Sequence, residues 1–275
     1  MYMHSIGQGA AASEAVSAPP TLVFRTVLQG AATLAWRNRR VRLDEDAWLV
    51  LDGRKDCSVQ LDPGFRTRLL VVVACPDDRL AALSTGIGVP GGELGALTAD
   101  LSFADNLRSR DGPAGRRLLA IARGRDAGAG ETDERAQRIE LVREAGAEEL
   151  ALRRKAARID CVKRATREQL LRRILLAADF IASRHDEPIS LDEMARAASL
   201  SRFHFVRLFS LVHGETPHAF LRRKRTAVAR RHLAFGSACS EAASRAGFGS
   251  RSSLFRNLRK TALAVAGSQS CSRSA

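Results

Sequence analysis

Tyrosine occurs once in this 275-residue chain, tryptophan twice, and the aromatics together make up 5% of it. Rings that could stack on unpaired bases are therefore scarce, which argues against binding of single strands. Cysteine is scarce as well. Cys57, Cys75, Cys161, Cys239 and Cys271 are scattered and contain no C-x-x-C pair, so they predict reduced thiols in a cytoplasmic protein rather than a disulfide framework. No apolar run approaches the roughly 20 residues that cross a bilayer. The opening residues, MYMHSIGQGAAASEAVSAPP, lack a basic segment followed by an apolar one. No membrane association is expected, and residues 1–18 are expected to be disordered.

Signatures of catalysis are missing too. The chain has no G-x-S-x-G, no P-loop and no G-x-G-x-x-G placed after a strand. The stretch Trp48 to Cys75 contains no histidine, and His185, His204, His213, His218 and His232 all lie in the C-terminal half, leaving His4 apart. A metal held on strands by histidines and a carboxylate is not expected, and neither is a cofactor or an enzymatic activity.

Positive charge is abundant. Lys and Arg number 44 against 30 Asp and Glu, for a formal net charge of +14. Such a balance predicts attraction to polyanions. Nearly all of it is arginine, in a chain also rich in alanine, a bias that nucleotide composition alone could produce, so the position of the charge matters more than its sum. About 18 basic against about 8 acidic residues fall between Arg167 and Lys260, roughly two thirds of the net charge in about one third of the chain.

Short apolar runs separated by turn residues mark the N-terminal half: WLVLDG, CSVQLDPG and RLLVVVACP between Trp48 and Pro76, with a further strand in Thr21 to Leu28. Asp52-Gly53 and Pro63-Gly64 are the expected turns. Leu80 to Leu101 contains a glycine-rich interruption with no element assigned. Beyond Ser102 the pattern turns helical, with a loop at Arg123 to Gly130 and one or two helices from Thr132 to Ile159. Their stripe of Ile139, Val142, Leu150 and Leu152 serves either the domain's own core or a dimer seam.

From Arg167 the helical signals are dense. Leu170, Leu171, Ile174, Leu175, Ala178 and Ile181 form one apolar face, ended by His185-Asp-Glu-Pro188. Ser190 and Glu193 make a capping box for a short helix over Leu191 to Ala198. Ser201 caps a second that stops at Gly214, and Thr216-Pro217 starts a third. Two helices joined by so short a turn predict a helix-turn-helix. Met194, Ala195, Leu200, Phe205, Leu208 and Phe209 then share a core with Leu191, while Arg202, Phe203, Val206, Arg207 and Ser210 face outward. An arginine there can take guanine bidentately or hold a phosphate, and Phe203 or Val206 can press on a thymine methyl. The plan repeats in ACSEAASRAGFGSRSSLFRNLRK, Ala238 to Lys260. Ala242 and Ala243 lie in a small-residue helix, Gly247-Phe248-Gly249 forms the turn, and Ser250 caps a helix carrying Arg251, Arg256, Arg259 and Lys260. Arg222 to Arg225, RRKR, lies on the connecting helix, either against phosphates or in solvent.

Together LSRFHFVRLF, GETPHAFLRRKR, A-x-x-H-L and AGFGSRSSLFRNLRK resemble the AraC/XylS family of bacterial transcription regulators over about Gln169 to Lys260. The resemblance implies an α+β chain with a small N-terminal β (cupin-like) domain with helices at 19–165, for sensing or dimerisation. It also implies an all-α double helix-turn-helix DNA-binding domain at 166–262, and the low-complexity remainder, 263–275, is expected to be a disordered tail. Base-reading positions fall on Arg202, Phe203, Val206 and Arg207 and on Arg251, Ser252, Phe255 and Arg256. The implied partners are double-stranded promoter DNA, RNA polymerase, a small-molecule effector and a second copy of the chain. Leu263 and Ala266 stand near the places of the family's closing glycine and proline, a departure that weakens the expectation for the second unit. The same helices occur in alkyl-transfer DNA repair proteins, but the zinc-binding cysteine quartet of those enzymes has no counterpart here. Two alternatives stay open: a degenerate regulator that no longer reads DNA, and a polyanion- or RNA-binding protein without sequence preference.

Overall fold

The computed structural model describes residues 2–5, 11–14, 21–62, 66–84, 103–128, 130–160 and 163–259. They form two compact units, Met1–Leu175 and Leu176–Ala275.

The first unit is built on two antiparallel sheets. One runs in the order β1 (Tyr2–Ser5), β8 (Arg68–Ala74), β3 (Leu22–Gln29), β6 (Ala47–Asp52), β9 (Arg108–Ser109). The other runs β2 (Ala11–Glu14), β7 (Cys57–Leu61), β4 (Ala31–Trp36), β5 (Arg39–Asp44). Val23, Val27, Leu49, Leu51, Leu69 and Val71 of the first sheet meet Leu34, Trp36, Leu43, Val59 and Leu61 of the second in one core. The opposite face of the first sheet, with Phe24, Trp48, Val50, Leu70 and Val72, is covered by α1 (Pro76–Ser84), α2 (Pro113–Asp126) and α3 (Glu131–Ala157). A strand buried on both faces is largely apolar on both, which is why WLVL and LLVVVA read as continuous runs and LVFRTVL is broken only by the buried Arg25 and Thr26. β7 shows water one face only and alternates, Cys57, Val59 and Leu61 inward with Ser58 and Gln60 outward.

Several expectations are corrected. Tyr2–Ser5 and Ala11–Glu14 are strands, where disorder was expected for residues 1–18. They pair with the edges offered by β8 and β7, whose free backbone groups can order a segment with no apolar pattern of its own. The rest of 1–18 lies outside the described residues. The hairpin β4–β5, turning at Arg37 with φ 51, was not anticipated. Arg40 and Arg42 on its outer face, with Arg39 at its start, mask the inward alternation of Val41 and Leu43. Asp52-Gly53 is a turn, but it connects strands of different sheets instead of a hairpin pair. Pro63-Gly64, the stretch 85–102 and the tail 263–275 fall outside the described residues. Arg123 to Asp126, read as loop, completes α2. The stretch Thr132 to Ile159 holds one helix, α3 (Glu131–Ala157), whose Leu141, Val142 and Ala145, with Ile139 and Leu150, pack on the sheet, so those members of the stripe belong to the unit's own core, while Leu152 is half-buried outside that cluster.

A buried charge pair was invisible in the sequence. Arg108 of β9 donates to Glu149 of α3, both nearly inaccessible. Glu149 also accepts from Arg153 Nε at 3.0 Å and from the Ala104 amide at 3.3 Å. The Arg108 guanidinium lies 5.3 Å from the Trp48 ring centroid. The carboxylate is held by three donors while Arg108 Nε has no hydrogen-bond partner among the described residues, and the pair ties a two-residue strand to a helix.

α4 (Arg164–Ser183) leads into the second unit, which is all helix: α5 (Leu191–Ala197), α6 (Arg202–His213), α7 (Pro217–Ala234), α8 (Cys239–Arg245) and α9 (251–259). No helix among the described residues is long and apolar enough to cross a membrane.

Candidate nucleic-acid interface

Local signals build the first helix pair. Ser190 Oγ accepts from the Glu193 amide at 3.3 Å, and Glu193 Oε2 accepts from the Ser190 amide at 2.8 Å, closing the capping box that starts α5. α5 ends where Ser199 takes a left-handed φ of 51. There the Ser199 amide donates to Arg196 O at 2.8 Å and the Leu200 amide to Ala195 O at 3.0 Å. The Ser201 side chain caps α6, which ends at Gly214 with φ 77, and Thr216 caps α7 with Pro217 buried at its first position.

Inside the pair, Met194, Ala195, Phe205 and Phe209 are buried. Phe209 meets Phe205 and Phe220 edge-on, with centroids 5.3 Å and 5.5 Å away, and stacks on His213 at 4.3 Å. Leu191, Leu200 and Leu208 are half-buried around them.

The turn of the second pair repeats that of the first, although Ala238 at the start of α8 offers no side-chain cap in place of the Ser190 box. The Gly247 amide donates to Ser244 O at 2.9 Å and the Phe248 amide to Ala243 O at 2.8 Å, with Gly247 at φ 76. Ala243 thus matches Ala195, Ala246 matches Ala198, Gly247 matches Ser199 and Phe248 matches Leu200. Gly249 adds one residue before Ser250, whose Oγ accepts from the Ser253 amide at 3.2 Å. Ala242, Ala243, Ala246, Phe248 and Leu254 close a core with Val228 and Ala229 of α7. Glycine is required at 247, because a Cβ there would lie 2.6 Å from His185 O and 2.7 Å from Asp186 Cα.

One face of each second helix stays in solvent. In α6, Arg202, Phe203 and Arg207 are exposed and Val206 and Ser210 half-buried; in α9, Arg251, Ser252, Phe255 and Arg256 are exposed. Phe203 is 74% and Phe255 49% accessible, an apolar cost that a folded helix does not need for its own stability. The side chains of Arg207, Arg251 and Arg256 make no hydrogen bond or ion pair with other described residues. Arg202 differs. It makes a two-point contact with Asp192 of α5, Nε to Oδ1 and Nη2 to Oδ2, and this hydrogen bonding lowers the Asp192 pKa below the ordinary carboxylate value.

The basic run on α7 divides by role. Arg222 is exposed, and Arg223 pairs with Glu215 at 2.8 Å. Lys224 is buried, and Arg225 donates to His185 O at 2.6 Å and Glu187 O at 2.7 Å. Half of RRKR is therefore engaged within the unit, Lys224 by burial and the half-buried Arg225 by carbonyls, and desolvation lowers the Arg225 pKa. Among the described residues no group of three or more His, Cys, Asp or Glu is placed to hold a metal.

Residues 194–264 match a family described as a helix-turn-helix domain, and the match takes in both helix pairs. The C-terminal part is an AraC-type helix-turn-helix domain. That makes it a DNA-binding module of the kind carried by transcription regulators. Outside this AraC-type domain the comparisons are weaker. No curated protein matches the chain. Among solved structures, ToxT from Vibrio cholerae is 10% identical with a TM-score of 0.37, over 93% of this chain and 91% of that one. ToxT bound to an unsaturated fatty acid is 11% identical at a TM-score of 0.35, over 93% and 88%. The AraC-like transcriptional activator CuxR is 12% identical at 0.33, over 87% and 78%. At such scores nothing is transferred from them to residues of the AraC-type domain.

Proposed function

We propose that the chain is a sequence-specific transcription regulator that reads two successive major-groove segments of duplex DNA. The helix starting at Ser201 reads one and the helix starting at Ser250 the other. The observation that carries this is the repeated turn, which supports two helices in the same local frame with arginines and a phenylalanine left in solvent on each. Arg202, Phe203, Val206, Arg207 and Ser210 are the reading positions of the first unit, and Arg251, Ser252, Phe255 and Arg256 those of the second. A guanidinium matches the O6 and N7 acceptors of guanine, and a ring or valine matches the thymine methyl. The connector α7, with 18 residues, spans roughly 27 Å. With its flanking turns it suits helices set about one duplex repeat, roughly 34 Å, apart. The family resemblance extends the proposal to the N-terminal unit as a sensing or dimerising domain, for a small-molecule effector or a second copy, and to RNA polymerase as the protein partner at the promoter.

Selection of random duplexes on the full chain, followed by affinity against salt for the winner and a scrambled duplex, tests the reading. A two-block motif spaced by about one turn is expected. A single block means that the second unit, whose sequence leaves the family pattern after Lys260, does not read. No preference at any salt overturns the proposal in favour of generic polyanion binding.

A further inference from the structure

Arg202 and Arg251 occupy the same position, directly after the serine that caps each reading helix, yet their surroundings differ. Arg202 is engaged side-on by Asp192, through Nε and one hydrogen of Nη2. The turn correspondence places Ser240 where the first unit has Asp192. The neighbouring Glu241 is occupied by Arg245 at 3.0 Å, and Arg251 has no carboxylate partner among the described residues. Around Asp192 itself, Glu193 is taken up by Ser190, and the Arg196 Nε lies 3.4 Å from Asp192 O.

An exposed pair of this kind contributes little to folding stability, so its worth lies elsewhere. Guanidinium carries five donors in a planar fork. A side-on carboxylate takes the Nε edge and leaves the end-on pair, Nη1 and the second Nη2 hydrogen, free and directionally fixed. That end-on pair has the spacing of guanine O6 and N7. The long side chain is ordered before DNA arrives, which removes part of the entropic cost of binding. The carboxylate also repels phosphates, so the pair favours a base edge over the backbone.

We propose that Asp192 is a specificity-determining positioning residue. It holds Arg202 so that the end-on N–H pair reads a guanine, whereas Arg251, which its place on the helix puts among the reading positions of the second unit, has serine in place of the carboxylate and is thereby narrowed to a phosphate contact. This rests on the DNA-reading proposal above. The two units thus differ in what their first arginine does, and the first contributes one base preference that the second lacks.

The test uses the full chain as wild type and as the variants Asp192→Asn, Asp192→Ala, Arg202→Ala and Arg251→Ala. Each is put through random-duplex selection, binding to a scrambled duplex and thermal unfolding. Both Asp192 variants are expected to lose the same guanine preference that Arg202→Ala loses, about 5- to 100-fold in relative affinity at one position. Binding of the scrambled duplex should be unchanged or tighter, because a negative charge has gone. Arg251→Ala should weaken all duplexes alike and lower the salt slope by about one. A wild-type chain with a motif that the Asp192 variants retain, or variants that lose affinity evenly over all duplexes, overturns this inference alone. A wild-type chain with no sequence preference overturns the DNA reading and the inference with it.

Discussion

Replacing Gly247 by alanine separates two contributions that usually travel together. Gly214 and Gly247 have nearly the same left-handed backbone, φ +77 and φ +76, but an added Cβ meets nothing within 4 Å at 214 and meets His185 O at 2.6 Å at 247. The shared part is the left-handed strain of a Cβ-bearing residue, about 1–2 kcal/mol. It is offset by roughly 0.5–1 kcal/mol from the lower chain entropy of unfolded alanine. Gly214→Ala should therefore cost roughly 0.5–1 kcal/mol. Gly247→Ala adds an overlap with the backbone of His185 and Asp186, which cannot rotate away as a side chain tip would. Overpacking of this sort typically costs roughly 1–3 kcal/mol. The expected total is roughly 1.5–4 kcal/mol, and at about 4–8 °C per kcal/mol for a unit of this size the melting point should fall by at least about 6 °C. Urea and thermal unfolding of the two variants, followed by circular dichroism, measure the difference. Equal losses at both positions would refute the claim that the turn of the second unit is set by contact with the His185–Asp186 backbone.

Other perturbations probe the site and the scaffold. Arg207→Ala should cost roughly 1–3 kcal/mol at one base position and leave other positions unchanged in a selection experiment; a uniform loss on all sequences would remove Arg207 from the reading set. Phe209→Ala empties a site lined by Phe205, His213 and Phe220 and should destabilise the second unit by about 3–5 kcal/mol in chemical denaturation. Burial raises the Glu148 pKa, although its carboxylate accepts from the Ala114 amide at 3.0 Å. The folded state then binds the proton more tightly than the unfolded state, so this group's contribution falls as pH rises from the ordinary carboxylate range through the folded pKa. Glu148→Gln, which keeps the acceptor oxygen, should flatten that part of the stability–pH curve, and an unchanged slope would contradict the assignment.

In the second unit, what is settled within about four residues was legible in the sequence. The capping box at Ser190, the caps at Ser201, Thr216 and Ser250 and the stop at Gly214 each follow from hydrogen bonds and side-chain spacing inside one turn. The i, i+3 and i+4 pattern also separated the inward Phe205 and Phe209 from the outward Phe203 and Arg207. Position after position of the candidate interface could be placed on that basis, because a helix presents its faces in a period that local sequence records.

What only the tertiary structure decided depends on residues distant in the chain. Strands as polar as Tyr2–Ser5 and Ala11–Glu14 are ordered by edges supplied from β8 and β7. Lys224 and Arg225 look like half of an exposed basic run until burial takes the first and the carbonyls of His185 and Glu187 take the second. Gly247 reads as one turn glycine among several until the backbone of another loop is found against it. Arg202 and Arg251 follow equivalent caps, and only folding brings Asp192 to one of them. Local propensity is a short-range quantity, whereas charge pairing, desolvation and close backbone approach are set by whichever neighbours the fold supplies.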